Sequence, residues 1–406
     1  MNFIFFIPDE LRAESVGCYG HPLVSTPNMD ALAAQGTRFD QCHVQHTVCT
    51  PSRCSFMTGW YPHVRGHRTL WHLLRPDEPN LLKYLKRAGY DVRWWGKNDL
   101  LSTAGFADSV SSESRGRGMF GRNPYSLDDP RYYSFLYAPY DGPLEEHGDY
   151  ANVMGAIEYL RAGPQQPFML YLPLVFPHCP YSAPQPWQDL IDPDELPPLR
   201  PAGLPNRPDF HELIRQTRRL DEVDDGHLRK VQAVYLGMTS FMDHLLGMLL
   251  ETLEETGHAD DTTVVYFSDH GDWAGDYGLV EKWPSAVEDV LSACRSSCAR
   301  RGRPAMWSTS RSRCSTSWRP HWSWPASKRS TPTSPARWCP RCTARPAIPT
   351  APSSSRAAMR ATNRTASRAW PTATSSPGMQ ATSTIPKAGS SRITPTAWAA
   401  PWPSAP

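Results

Sequence analysis

The chain opens on a continuous apolar run, Phe3 to Ile7, closed at once by Pro8-Asp9-Glu10. A run that short and without polar alternation predicts a strand buried on both faces. FMLYLPLVF (168–176), YDVRWW (90–95) and the β-branched TTVVYF (262–267) predict three more. Between them the apolar spacing turns helical. TPNMDALAAQG (26–36) has Thr26 as a candidate N-cap and Gly36 as a stop, and NLLKYLKRAG (80–89) ends on a glycine. LRKVQAVYLGMTSFMDHLLGMLLETLEETG (228–257) predicts a long amphipathic helix. Strands alternating with helices imply an α/β fold with a mainly parallel central sheet and helices on both faces. The stretches 105–149 and 184–208 show neither period and are expected to be surface insertions. No internal repeat is present. The first run lacks a basic leader, so it is expected to be a strand rather than a secretion signal, and no stretch is expected to span a membrane.

Charge divides the chain. The overall balance is +2, but from Leu291 to Pro406 there is no Asp or Glu and there are 18 Lys and Arg. The first 290 residues therefore hold 24 bases against all 40 acids. The basic segment has no Val, Phe or Tyr, and a chain so poor in apolar side chains cannot offset the entropy of ordering itself. The expected organisation is a catalytic α/β domain over 1–290 and a disordered Pro/Ser/Arg/Ala-rich tail over 291–406. Cys339 and Cys342 are spaced CxxC in that tail, where no core would hold a metal. The body's five cysteines, Cys18, Cys42, Cys49, Cys54 and Cys179, form no disulfide framework, so a reduced, cytoplasmic setting is expected.

Each predicted strand delivers charged groups to the loop after it: Asp9 and Glu10, Lys97, His178, and Asp269 with His270. In parallel α/β sheets ligands bind beyond the carboxyl ends of the strands. Asp9, Glu10, Asp269 and His270 supply oxygen donors and one imidazole, a set that suits Ca2+, Mg2+ or Mn2+ better than zinc. Arg53, Lys97, His178 and Lys282 are candidate cations for a polyoxyanion held beside such a metal. His43, His46, His63 and His67 cluster in sequence but show no zinc-ligand spacing. The stretch VCTPSRCSFMTG (48–59) sets Cys49 in a tightly specified context, as a disulfide half, a metal ligand, a thiol nucleophile or a precursor of another group.

Cys49-Thr50-Pro51-Ser52-Arg53 followed by Thr58-Gly59 resembles the type I sulfatase signature C-x-P-S-R-x-x-x-x-T-G. VGCYG (16–20), TPNMDALAAQGTRF (26–39), GYDVRWWGK (89–97), PHCPY (177–181) and YFSDHGDWAGDYGLVEKW (266–283) extend the likeness over roughly residues 1–290. The resemblance implies an alkaline-phosphatase-like fold and hydrolysis of small-molecule sulfate esters. It implies that a formylglycine-generating enzyme oxidises Cys49 to formylglycine, whose hydrate attacks sulfur and later expels sulfate. Asp9, Glu10, Cys49, Asp269 and His270 would then hold one divalent ion, Ca2+ first, Mn2+ or Mg2+ next. Arg53 would stabilise the hydrate, and Lys97, His178 and Lys282 would contact the sulfate and the leaving oxygen. Asp99 stands where many members carry His, and His270 where many carry Asn. The latter is similar to relatives that hydrolyse phosphonate monoesters or phosphodiesters, the alternative reading.

The likeness stops near Val290. Synonymous codons for LSACRSSCARRG can be chosen so that a shifted frame reads VRVPLIVRTPG, a strand of the expected kind, so the tail reads as a frameshift product. That shift is either a sequencing error or a real lesion, and on the lesion reading the chain is expected to be an inactive truncated product. No specific nucleic-acid partner and no membrane are expected, although a +18 tail with tryptophans could hold nucleic acid nonspecifically.

Overall fold

The computed structural model describes residues 1–114, 120–282 and 286–293, with the backbone of three short strands beyond them. In chain order the strands are β1 (Asn2–Ile7), β2 (Thr37–Phe39), β3 (Cys42–His43), β4 (Asp91–Trp95), β5 (Ser112–Ser114), β6 (Phe168–Pro173), β7 (Thr262–Tyr266), β8 (Ser296–Ala299), β9 (Met306–Ser308) and β10 (Ser312–Arg313). The α-helices are α1 (Pro27–Gln35), α2 (Cys49–Thr58), α3 (Leu81–Arg87), α4 (Phe106–Ser109), α5 (Gly148–Arg161), α6 (Asp209–Thr217), α7 (Asp225–Glu255) and α8 (Asp289–Ser292).

Among the described residues eight strands form one sheet in the order β5-β4-β6-β1-β7-β8-β2-β9. The five from β5 to β7 run parallel, β8 lies antiparallel to both its neighbours, and β2 and β9 are parallel. The four predicted strands are thus the four adjacent inner ones, β4, β6, β1 and β7. Their continuous apolar character follows from two covered faces. Successive residues of a strand point to opposite sides. Ile4, Phe6, Leu170 and Leu172 pack into one cluster with Val153 and Leu160 of α5 and Leu245 of α7. Phe5, Ile7, Met169 and Tyr171 pack into another with Met57 of α2 and Leu82 of α3. Each such side chain taken from water is worth about 1.5–3 kcal/mol, which fixes register as well as stability.

α7 starts on an N-cap, Asp224, whose carboxylate accepts the His227 amide at 2.8 Å. The expectation that no stretch is long enough to span a membrane is corrected here: Asp225–Glu255 is long and apolar enough by length and composition. It is the central helix of the core instead, with 83% of its apolar window buried inside the protein. Nor are the expected surface insertions all surface. Leu136, Tyr140, His147, Ile191 and Leu196 are buried, and Arg200 from the Pro-rich run pairs with Asp276 at 2.6 Å. A candidate cap also acts differently from expectation. Thr26 precedes α1 but its hydroxyl caps no helix amide and accepts the Gly17 amide at 2.8 Å.

Beyond Leu291 the described backbone adds β8 and β9 to the sheet and β10 beside β3. The remainder of the 291–406 segment, with its expected disorder, its frameshift reading and Cys339 and Cys342, lies outside the described residues.

Candidate active site at four strand ends

β1, β4, β6 and β7 end together, and the loops that follow carry Asp9 and Glu10, Lys97, His178, and Asp269 with His270. These six predicted site residues therefore gather beyond the carboxyl ends of the four inner strands. Close backbone approach is part of how they arrive. Lys97 donates its amide to Pro173 O at 2.8 Å. This is possible because Gly96, at φ +133°, leaves empty the place where a Cβ would lie 2.2 Å from that carbonyl. Glu10 takes φ +71°, uncommon for a residue with a side chain. Its amide donates to Asp269 Oδ1 at 3.2 Å and its carbonyl accepts the Tyr235 hydroxyl at 2.7 Å, which hold the conformation in place.

The signature stretch is one helix from end to end. Val48 is the extended N-cap, Cys49 opens α2, and Pro51 sits in the first turn, where its missing N–H costs nothing. Thr58 Oγ1 donates to Cys54 O at 2.6 Å, and Gly59, at φ +75°, closes the helix with an amide bond to Ser55 O at 2.8 Å. Cys49 is thereby fixed at the N-terminus with 1% of its surface exposed.

Around Cys49 Sγ lie His270 Nε2 at 3.2 Å, Asp9 Oδ1 at 3.5 Å and Lys97 Nζ at 3.7 Å. Burial, then the charge of Asp9, push the thiol well above its ordinary value, so it is not an activated thiolate. None of the five body cysteines forms a disulfide among the described residues, which removes the disulfide reading. Arg53, one turn along α2, donates from Nε to Asp269 Oδ2 at 2.8 Å and brings Nη2 within 3.1 Å of Asp9 Oδ2. Lys97 Nζ reaches Asp9 Oδ2 at 2.5 Å and Asp99 Oδ2 at 2.9 Å. Burial alone would raise the Asp9 carboxyl; Lys97 and Arg53 hold it well below the usual range.

One donor atom each from Asp9, Cys49, Asp269 and His270 lies within 4.8 Å of the others. Glu10 is grouped differently. Its Oε2 faces Lys282 Nζ at 3.2 Å and His178 Nε2 at 3.3 Å, and the Lys282 ammonium is in hydrogen-bond contact with the His178 imidazole. Burial and then Lys282 hold that imidazole well below its ordinary range, so the expected cation is a neutral ring. Glu10 Oε1 is buried with no hydrogen-bond partner among the described residues. Burial drives the Glu10 carboxyl well up despite Lys282. A buried carboxyl oxygen without a hydrogen-bond partner, next to the donor cluster of Asp9, Cys49, Asp269 and His270, is an oxygen that a hard divalent cation would satisfy. The residues present fit such an ion.

Several supports were not singled out in the sequence. Ser52 donates to the Asp269 carbonyl at 2.6 Å, and Ser268 donates to the His270 carbonyl at 2.7 Å while accepting the Leu11 amide at 2.9 Å. Asp272, raised to about 6 by burial, accepts the Tyr181 hydroxyl at 2.8 Å and contributes to the rise of Glu10. Ser52 and Asp272 stand inside matched motifs, so a signal existed. Tyr235 lies mid-helix and gave none.

A parallel sheet whose inner strands end in such a cluster is that of the alkaline-phosphatase-like class. Within it, this chain belongs to the sulfatase family, whose pattern matches residues 1–308. Among similar proteins, the multifunctional alkaline phosphatase superfamily protein PehA of Trinickia caryophylli is 29% identical over 327 residues, covering 68% of this chain and 62% of its own length. Iduronate 2-sulfatase of Homo sapiens is 26% identical over 322 residues, covering 70% of this chain and 57% of its own. The phosphonate monoester hydrolase of Agrobacterium radiobacter shares the fold with a TM-score of 0.63 at 18% identity, over 77% of this chain and 71% of that one. The chain spans between 51% and 63% of the length of PehA and of two sulfatases of Formosa agariphila.

Proposed function

We propose that this chain hydrolyses sulfate esters, with a formylglycine made from Cys49 as the nucleophile and a divalent ion held by Asp9, Asp269 and His270, with Glu10 alongside. The observation that carries the reading is Cys49 itself, buried, unactivated as a thiol, and packed against His270, Asp9 and Lys97. A bound ion supplies charge neutralisation for the sulfate oxygens and lowers the pKa of the attacking hydroxyl. The chain's own groups do the rest. Arg53 ties Asp9 to Asp269 and holds both in place. Lys97 and Lys282 meet the anionic oxygens from two sides, in a cleft dry enough to strengthen those contacts. His178 and Lys282, in hydrogen-bond contact through Nε2 and Nζ, lie together on the side proposed for the leaving oxygen. Asp99, against Lys97, fixes that ammonium.

His270 supports a second reading, hydrolysis of phosphonate monoesters or phosphodiesters. The partners proposed are a small-molecule sulfate ester and the formylglycine-generating enzyme. The test is peptide mass spectrometry across Cys49 after co-expression with that enzyme, with turnover of an aryl sulfate compared against an aryl phosphonate. Conversion of Cys49 with preference for the sulfate is expected. Active protein with an intact thiol sinks the formylglycine mechanism, and preference for the phosphonate sinks the sulfatase reading.

A further inference from the structure

Lys282 reaches the site from a loop whose backbone is held in an uncommon shape. Its Nζ stands 3.2 Å from Glu10 Oε2 and in hydrogen-bond contact with His178, with 6% of the residue exposed. The residue before it, Glu281, takes φ +63°. A side chain crowds its own backbone in that conformation, so a residue other than glycine stays there only where its neighbours hold it. Three contacts hold Glu281. Its amide donates to the Tyr181 hydroxyl at 2.8 Å, and its carbonyl accepts the Trp273 amide at 3.0 Å. Its carboxylate pairs with Arg218 Nη1 at 3.1 Å.

The first two contacts come from residues buried beside the site, where Tyr181 also donates to Asp272 at 2.8 Å. Arg218 comes from farther off. It is the first residue past α6, in the segment between β6 and α7. That helix lies against the same loop through Ile214 and through His211, whose ring is 5.3 Å from that of Trp273. Two more arginines of this segment grip the loop, Arg200 on Asp276 at 2.6 Å and Arg207 on Glu288. Neither of those acids is next in sequence to a site residue, whereas Glu281 is bonded directly to Lys282. Arg218 and Glu281 each keep only 18% of their side chains exposed, so their pair is screened less than one at the surface. Relaxation of residue 281 to negative φ turns the peptide that joins it to Lys282, and the ammonium turns with it.

Building on the sulfatase reading, in which Lys282 meets the substrate anion, we infer that Arg218 is a positioning residue for Lys282. By holding the Glu281 carboxylate it keeps residue 281 left-handed, and that conformation sets the ammonium against Glu10 and His178. The test uses the full chain with Cys49 converted and metal bound, acting on 4-nitrophenyl sulfate. In Arg218→Ala kcat/KM falls by about tenfold or more. In a Lys282→Ala background the same change costs less than about twofold, since a residue acting through Lys282 has nothing left to place. Glu281→Asn loses about threefold less than Glu281→Ala, because asparagine tolerates the left-handed backbone. Arg207→Ala, which breaks a comparable pair on the same loop, stays within about threefold of wild type.

A second readout needs no turnover. Acetylation of Lys282 by acetic anhydride, followed by peptide mass spectrometry in unconverted protein, speeds up by about fivefold or more in Arg218→Ala. The rate is taken relative to Lys83, a lysine of α3 that is also 6% exposed and reports on the fold. Unchanged relative acetylation in Arg218→Ala overturns the inference. So does a loss of kcat/KM that is the same with and without Lys282, or one matched by Arg207→Ala. If wild type turns over no sulfate ester, the sulfatase reading falls, and the acetylation alone decides whether Arg218 holds Lys282.

Discussion

Arg53 Nε donates to Asp269 Oδ2 at 2.8 Å with neither side chain exposed to solvent. The guanidinium also meets Asp9, so one residue of the signature helix joins the ends of β1 and β7. Removing it strands two buried carboxylates, whereas lysine keeps the charge but not the fork. Arg53→Met is expected to lose about 3–5 kcal/mol of unfolding free energy in metal-free protein, measured by urea denaturation. Arg53→Lys is expected to lose less stability and still to cost about 100-fold in kcat.

The donor set predicts a thermal response that needs no substrate. Ca2+ or Mn2+ at about 100 times its dissociation constant adds about 2.7 kcal/mol to stability. A melting-temperature rise that is reversed by a chelator and abolished in His270→Ala would establish the ion's place. A shift of equal size in His270→Ala would assign the ion elsewhere.

Gly96→Ala tests the approach of β4 to β6. Its Cβ meets Pro173 O at 2.2 Å, so the backbone carrying Lys97 must move. The expected cost is about 1–3 kcal/mol in stability, with a fall in kcat larger than any change in KM, read from steady-state kinetics.

His147 is buried among Tyr140, Phe176 and Phe241, with neither ring nitrogen hydrogen-bonded among the described residues. Burial lowers it to about 4. Its folded value lies below its unfolded one, so unfolded chains take up a proton first and stability is lost as pH falls through 6.5 toward 4. Between pH 7 and pH 5 this imidazole is expected to remove about 2 kcal/mol. Asp149, raised to about 6 by burial, acts in the opposite sense over an overlapping window. The measurement is therefore the difference between wild type and His147→Leu in urea midpoints at the two pH values. Equal pH dependence in both proteins would contradict the assignment.

What could be read from the sequence was whatever depends on local order. The four inner strands were legible because burial on both faces demands an unbroken apolar run, and their charged ends because a loop must follow each. The helices α1, α3 and α7 were legible from spacing and stop residues. Long-range partnerships were not. Nothing in the spacing of Glu10 says that its carboxylate turns toward Lys282 and His178 while Asp9 turns toward Cys49 and Lys97. Tyr235 braces Glu10 from the middle of a helix whose pattern only requires an apolar residue there. The 184–208 run looked like surface because proline hides periodicity, yet Arg200 joins a charged cluster with Glu14 and Asp276.

If Cys49 is converted as proposed, the burial of α2 sets an order of events for that conversion. Cys49, Thr50, Pro51, Ser52 and Arg53 are all enclosed once the sheet has closed over them. An oxidising enzyme that reads this stretch of chain can meet it only while it is still extended. Under the formylglycine reading proposed above, oxidation of Cys49 would have to precede folding, and a chain that folds first would keep its thiol.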